Sequence, residues 1–183
     1  MLTINLTDFP ELTTERMVLR ELRFSDAEQV FALRSDPRVM EHVSRPMAKT
    51  IADADALIEL IISTIAANDA LQWAITLKND DALIGMIGFW RIVKDHHLAE
   101  LGYLLAHAHW GQGLITEAIA AVVPYGLGTL GLHRVEAITR PENVGSIRAL
   151  EKNGFRREAH LRENVHWNGV FHDSLHFARL AEE

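Results

Sequence analysis

The chain has 183 residues, 48% apolar and 23% charged, with a formal net charge of −7. These proportions fit one globular domain over residues 1–183 with a core at about 12–180. The negative balance argues against a nucleic-acid partner and suits a cationic acceptor such as an amine or basic peptide. The absence of cysteine excludes disulfides, a thiol nucleophile and cysteine-ligated zinc.

No basic region followed by an apolar core opens the chain, and no apolar run is long enough to span a bilayer. A cytoplasmic protein with no membrane partner is expected. Residues 16–23 (RMVLRELR) predict a strand. Ser25 and Glu28 have capping-box spacing. A helix with Val30, Phe31 and Leu33 should follow and end before Pro37. Residues 37–50 read as a loop with one helical turn. Thr50 and Asp53 suit a second helix start, after which Leu57, Ile58, Ile61 and Ile65 recur at helical spacing.

The period then changes. Residues 73–77, 83–93 and 98–106 read as strands, separated by Asn79-Asp80-Asp81 and Lys94-Asp95-His96-His97, which implies an antiparallel meander. A helix is expected over roughly 114–129, kinked at Pro124. A strand over 132–139 completes a right-handed crossover and a parallel pair. A short helix over 144–153 closes at Gly154. Residues 155–166 and 170–180 form a hairpin about Asn168-Gly169. The class is α/β, with one mixed, mainly antiparallel sheet and a single parallel step.

The chemistry concentrates at His109-Trp110-Gly111-Gln112-Gly113-Leu114-Ile115-Thr116-Glu117-Ala118, where a strand feeds a glycine loop that opens a helix. Glycine lets backbone approach a ligand closely. A helix start offers unpaired N–H groups and the positive end of its dipole, together an anion site. The loop lacks both the P-loop pattern and the third glycine of a dinucleotide fingerprint. A turn that simply needs two glycines would look the same. The ten histidines, His96-His97 and the His107/His109 pair among them, lack the further ligands that zinc requires, so no metal is expected. His172 and His176 could line a substrate mouth. Trp73, Trp90, Trp110 and Trp167 suit core or rim positions, with Trp110 best placed to touch a ligand.

HWGQGLITEA, preceded by AELGYLLA and followed by RPENVGSIRALEKNGFRREA, resembles the GNAT superfamily of acyl-CoA-dependent N-acyltransferases. The opening LTTERMVLRELRFSDAEQV and the closing RENVHWNGVFHDSLHFARL bring it nearest the ribosomal-protein N-terminal acetyltransferase (Rim-type) branch. The resemblance implies a GNAT fold whose central parallel strands splay apart to hold acetyl-CoA as cosubstrate, with helices flanking the sheet. It implies that backbone groups of Leu104 and Leu105 pair with the pantetheine amides. The N–H groups across Gly111, Gln112, Gly113, Leu114 and Ile115 would hold the pyrophosphate, with Trp110 and Thr116 adjoining. Asn143 would contact the pantetheine arm, and Ser146 would lie near the thioester sulfur.

Two positions depart from the superfamily pattern. Ala108 stands where Gln or Arg is frequent, which matters little for a loop acting through its backbone. Leu150 stands where many members carry a tyrosine general acid, which leaves Ser146 as the candidate to protonate the leaving thiolate, directly or through water. On a helical wheel Asn143, Ser146 and Leu150 share a side, and Val144, Ile147 and Leu150 form the expected core stripe. Glu100 is the first candidate for general base, with Glu163 and Asp173 secondary. Glu117 suits the positive end of the helix.

The function implied is direct transfer of acetyl from acetyl-CoA to a primary amine in a ternary complex, since no cysteine exists for an acyl-enzyme. A protein N-terminus is the preferred acceptor, ahead of a small amine such as a polyamine, amino acid or antibiotic. A non-catalytic CoA-binding sensor and a nucleotide-binding protein are the competing classes. A homodimer is compatible with the branch.

Overall fold

The computed structural model describes residues 2–182. Eight strands form one sheet in the order β1-β2-β3-β4-β5-β6-β8-β7. They are β1 (Leu12–Thr13), β2 (Met17–Arg20), β3 (Leu71–Leu77), β4 (Asp80–Val93), β5 (Leu98–Leu105), β6 (Arg134–Thr139), β7 (Arg156–Trp167) and β8 (Val170–Leu180). Every neighbouring pair is antiparallel except β5–β6, the parallel step expected from the strand–helix–strand pattern. The helices are α1 (Ala27–Ser35), α2 (Pro37–Met40), α3 (Ile51–Ala66), α4 (Leu114–Pro124) and α5 (Val144–Lys152). α1 and α3 pack on each other and on β3 and β4, while α4 and α5 lie side by side over β4 and β6.

Local chemistry sets most of these boundaries. At the start of α3 the Asp53 carboxylate accepts the Thr50 amide at 2.9 Å, and the Asp53 amide donates back to Thr50 Oγ. Ala54, Ile58, Ile61 and Ile65 then fall on one buried face. In the last hairpin Asn168 and Gly169 have φ of 48° and 80°, the pair of left-handed residues that a two-residue turn between twisted strands requires.

The start of α1 differs from the expected capping box. Ser25 caps nothing; Phe24–Asp26 is a 3₁₀ turn, and the Asp26 carboxylate accepts the Arg23 amide at 2.8 Å. Asp26 is drawn inward by Arg20, whose guanidinium grips it in two bonds of 2.9 and 2.7 Å. Both side chains are almost fully buried. Removing one partner of such a pair strands a buried charge. Asp26→Ala should therefore cost about 3–5 kcal/mol of stability, read from urea unfolding. A loss below about 1 kcal/mol, the scale of an exposed pair, would show that Asp81, which also bonds Arg20 at 2.6 Å, suffices alone.

Pro124 ends α4, and the chain continues as a π turn over Tyr125–Thr129 rather than as the kinked α-helix the sequence suggested. Proline has no N–H for the bond one turn back, and the path widens until the Leu130 amide reaches the Tyr125 carbonyl at 3.1 Å. This wider turn lays Gly126 on the Phe89 ring, where a Cβ would sit 2.5 Å from Cζ. Trp73, fully buried, meets Phe9, Phe89 and Tyr125 edge to face with centroids 6.1, 6.3 and 5.9 Å away. Such contacts add about 0.5–1.5 kcal/mol each beyond burial.

Two further features open the centre of the sheet. β5 pairs with β6 only at Leu98, Ala99 and Glu100, and beyond Glu100 the two strands part. On the other side, β4 slips register between Phe89 and Arg91 opposite Leu101 and Glu100, which bulges Trp90 out of the strand.

Candidate active site

The glycine loop sits where β5 leaves β6, beyond the carboxyl ends of the parallel pair, the usual place for a ligand in such sheets. Gly111 and Gly113 have φ of 73° and 75°, a conformation costly for other L residues. A Cβ on Gly111 would meet nothing within 4 Å, so the backbone there faces open space. Gly113 is the N-cap of α4, and no side chain caps that end. The amides of its first turn are thus left for an anion.

Arg16, at the entry to β2, contacts the glycine loop and is a site residue that the sequence did not single out. Its Nη1 donates to the Gln112 carbonyl at 2.9 Å, and its Nε and backbone amide donate to the Glu117 carboxylate at 2.6 and 2.9 Å. Nη2 points toward Gly113, 3.8 Å from where a Cβ would be. Burial alone would raise the Glu117 carboxyl, but bonds from Thr14 and Arg16 hold it below its ordinary value. Glu117 therefore joins the positive end of α4 to Arg16, and Arg16 pins the loop from outside. Arg16→Ala should raise the KM for acetyl-CoA about 10- to 150-fold, the worth of one charge-assisted bond, with kcat nearly unchanged in steady-state assays. An unchanged KM would show that the loop holds its shape unaided.

The register identifies which backbone groups line the gap. The Ala106 amide bonds the Ile84 carbonyl at 2.8 Å, so by strand alternation Leu104 also turns its amide and carbonyl toward β4. Tyr103 and Leu105 are the residues whose backbone faces the open edge. The Leu105 carbonyl is already taken by Trp110, whose indole N–H donates to it at 2.8 Å. Trp110 is half-exposed and tilted against His107. Gln112 bonds back to the Ala108 carbonyl at 3.2 Å. The Thr116 carbonyl accepts from Asn153.

Asn143 caps α5 with its Oδ1, which accepts the Ser146 amide at 3.1 Å. Ser146, Ala149 and Leu150 are buried and Ile147 packs against the core, while Val144 is 50% exposed, so the expected stripe of α5 keeps Ile147 and Leu150 and loses Val144. Ser146 Oγ lies 2.7 Å from the Tyr103 hydroxyl across the gap between β5 and α5. Burial pushes the Tyr103 phenol up to about 12 despite the hydrogen bond it shares with Ser146.

Glu100 projects from the opposite face of β5 to Tyr103. Its carboxyl is held above the ordinary carboxylate value, first by burial, with the neighbouring Glu136 adding repulsion; Arg91, the Trp90 N–H and His176 oppose the shift. The nearest Arg91–Glu100 approach is 3.5 Å. The bulged Trp90 lies over Gly102, with a Cβ there 3.2 Å from the indole. Arg45 and Arg91 stack on the Trp90 ring at 5.2 and 5.8 Å. The Arg140 guanidinium ties the loop after α2 to this side through the Glu41 carbonyl and Ser44 Oγ. His176 and Ser174 bond each other at 3.0 Å. Glu163 and Asp173 serve the hairpin itself: Asp173 accepts the Glu163 amide at 2.8 Å, where φ is 51°, and pairs with His160 at 2.6 Å. The Glu163 amide and His160 hold Asp173 below its ordinary value, which makes it a poor proton acceptor.

The arrangement combines an anion cradle at a helix start, a free strand edge that can take an extended amide chain, and a half-buried carboxylate at the point of divergence. Comparison with known proteins gives the same frame a family. The acetyltransferase (GNAT) domain matches residues 16–156. The uncharacterized N-acetyltransferase YoaA of Bacillus subtilis (strain 168) is 34% identical over 166 residues, 91% of this chain and 94% of that protein. The ribosomal-protein-serine acetyltransferase of Escherichia coli (strain K12) is 33% identical over 103 residues, 56% of this chain and 58% of that protein. The crystal structure of a GNAT-family acetyltransferase from Bacillus anthracis superposes with a TM-score of 0.85 at 27% identity, covering 95% of this chain and all of that one. The splayed parallel strands, the glycine loop opening α4 and these relatives agree: the chain belongs to the GNAT family and is an acetyl-CoA-dependent N-acetyltransferase.

Proposed function

We propose that the protein transfers the acetyl group of acetyl-CoA directly to the N-terminal α-amine of a protein, with Glu100 as general base. The observation that carries this reading is the position of Glu100 at the last paired rung before β5 and β6 part, with its carboxyl raised by burial. A carboxylate shifted upward is a better base, and an α-amine near pH 8 is far easier to deprotonate than a lysine amine near 10.4. The ribosomal-protein-serine acetyltransferase among the relatives supports a protein as acceptor.

In this reading the amides of Gly111, Gln112, Gly113, Leu114 and Ile115 hold the pyrophosphate, with Trp110 and Thr116 at the margin of that cradle. The pantetheine amides add along β5 through the backbone of Tyr103 and the amide of Leu105, and the Asn143 side-chain N–H reaches toward the same arm. Glu100, on the other face, takes the proton from the attacking amine. With no cysteine in the chain, transfer within a ternary complex is the economical route.

The test is free CoA release by the purified protein with acetyl-CoA and three acceptor sets: peptides with free N-termini, the same peptides blocked at the N-terminus but carrying lysine, and polyamines. Turnover confined to the first set supports the proposal. Preference for polyamines or blocked lysine peptides overturns the acceptor, and acetyl-CoA binding without any turnover replaces the enzyme reading with a sensor.

A further inference from the structure

We propose that Tyr103 is a positioning residue that fixes the Ser146 hydroxyl as a hydrogen-bond donor to the departing CoA sulfur, stabilising a thiolate rather than protonating it. The inference rests on the reading that acetyl-CoA lies in the gap between β5 and β6. Three observations lead to it. The two oxygens are 2.7 Å apart, and the contact joins β5 to the first turn of α5 beyond the last β5–β6 rung. Ser146 is only 9% exposed and its amide is already bonded by Asn143, so its backbone cannot shift to serve another role. The Tyr103 ring packs against the core, which leaves its hydroxyl little freedom to turn elsewhere.

The acidities decide which chemistry the pair can perform. Phenol is a stronger acid than an alkanol, so the shared proton is best given by Tyr103 to Ser146 Oγ, and the Ser146 proton is left to point into the gap. A simple thiol titrates at about 8.5, whereas the Tyr103 phenol is pushed up to about 12. An ordinary phenol, at about 10, is already a weaker acid than such a thiol, and burial weakens this one further, so a thiolate is too weak a base to take the proton from this relay. The carbon–nitrogen bond forms, the carbon–sulfur bond breaks, and the electron pair stays on sulfur. The amine proton goes to Glu100 and then to solvent. Ser146 and Tyr103 keep their own protons throughout. This sharpens the role first expected of Ser146, from proton donor to hydrogen-bond donor.

The other titratable groups near the gap are Glu100 of β5, Glu136 of β6 and His176 of β8. Strand alternation places Glu100 on the opposite face from Tyr103, and register pairs it with Glu136. Two carboxylates would raise the pKa of a bound thiol, and Arg91, which pairs with Glu100, is present in every variant, so the part of a downward shift that is lost on substitution reports on the hydroxyl pair.

The experiment is an ultraviolet titration of the thiol of bound CoA, between pH 6 and 10, in wild type and in the Tyr103→Phe and Ser146→Ala variants. Bound CoA in the wild type should titrate about one pH unit below free CoA, a tenfold shift consistent with one charge-assisted bond. Both variants should lose the shift while binding CoA at pH 6 within about threefold of wild type, and the double variant should lose no more than either alone. A shift that survives Tyr103→Phe, or is absent from the wild type, overturns the proposal. Failure of the wild type to bind CoA refutes instead the underlying placement of the cosubstrate. Because phenylalanine preserves the ring, a folding defect is separated by the melting temperature of the apo variant. If that temperature falls, the titration is run below it, so that only folded variant is read.

Discussion

Glu100→Gln should lower kcat by about a hundred- to ten-thousandfold, the span of general-base catalysis, and leave acetyl-CoA affinity unchanged. Glutamine keeps the shape of the side chain beside Trp90 and Arg91 but cannot accept the amine proton. The pH profile carries the sharper signature. Burial holds the Glu100 carboxyl above its ordinary value of 4.5, so the base is lost as pH falls through that raised value. The wild-type kcat/KM should accordingly drop on the acid side at a higher pH than an exposed carboxylate would give. On the alkaline side it should rise until the acceptor amine is itself deprotonated, near pH 8 for an α-amine. Glu100→Gln should remove the acid limb and retain the amine limb. An acid limb that persists in the variant assigns the base elsewhere, with Glu136 the nearest carboxylate.

Gly113→Val should weaken acetyl-CoA binding about a hundredfold, about 2.7 kcal/mol, as measured by calorimetry. Two effects act together. At φ of 75° a β-branched residue is strained by about 1–3 kcal/mol, so the loop tends to abandon the shape that aims its amides. Each charge-assisted bond then lost costs about 1.5–3 kcal/mol. Strain alone is controlled by Gly131→Val, at φ of 72° but remote from the loop, where a Cβ meets only Leu2 at 3.4 Å. That variant should lose stability and keep its affinity. Equal losses of affinity in both would trace the effect to global destabilisation.

Much of the frame could be read before any coordinates. The Thr50/Asp53 start of α3, the meander from Leu71 to Leu105, the crossover through α4 and the Asn168-Gly169 hairpin all follow from signals within a few residues of one another. The departures have long-range causes. Ser25 fails as a cap because Arg20 claims Asp26 in the core. The turn that Pro124 widens is held in place by the seating of Gly126 on Phe89 of β4, far away in sequence. Val144 is exposed although its spacing fits a core stripe. The site divides in the same way. The glycine loop, Glu100 and Ser146 are conspicuous in sequence. Arg16 and Tyr103 act through partners 96 and 43 residues away, and the orientation of the Leu104 backbone depends on a register that only the folded sheet defines. The ERMVL and LGYLL segments around these residues read as ordinary strand sequence, with no local signal for either contact.

The Arg16 clamp has a thermodynamic corollary. It joins the entry of β2, next to the terminal strand β1 of the sheet, to the loop at Gln112 and Glu117. Terminal strands carry unpaired backbone groups and fray readily. Whatever the clamp contributes to acetyl-CoA affinity, occupancy of the cradle must return to the β1–β2 margin, since a ligand favours the closed form of every element its site depends on. Cosubstrate and sheet border are thus reciprocal stabilisers: the loop grips only when the amino-terminal strands are docked, and those strands exchange their amide hydrogens more slowly once the loop is filled.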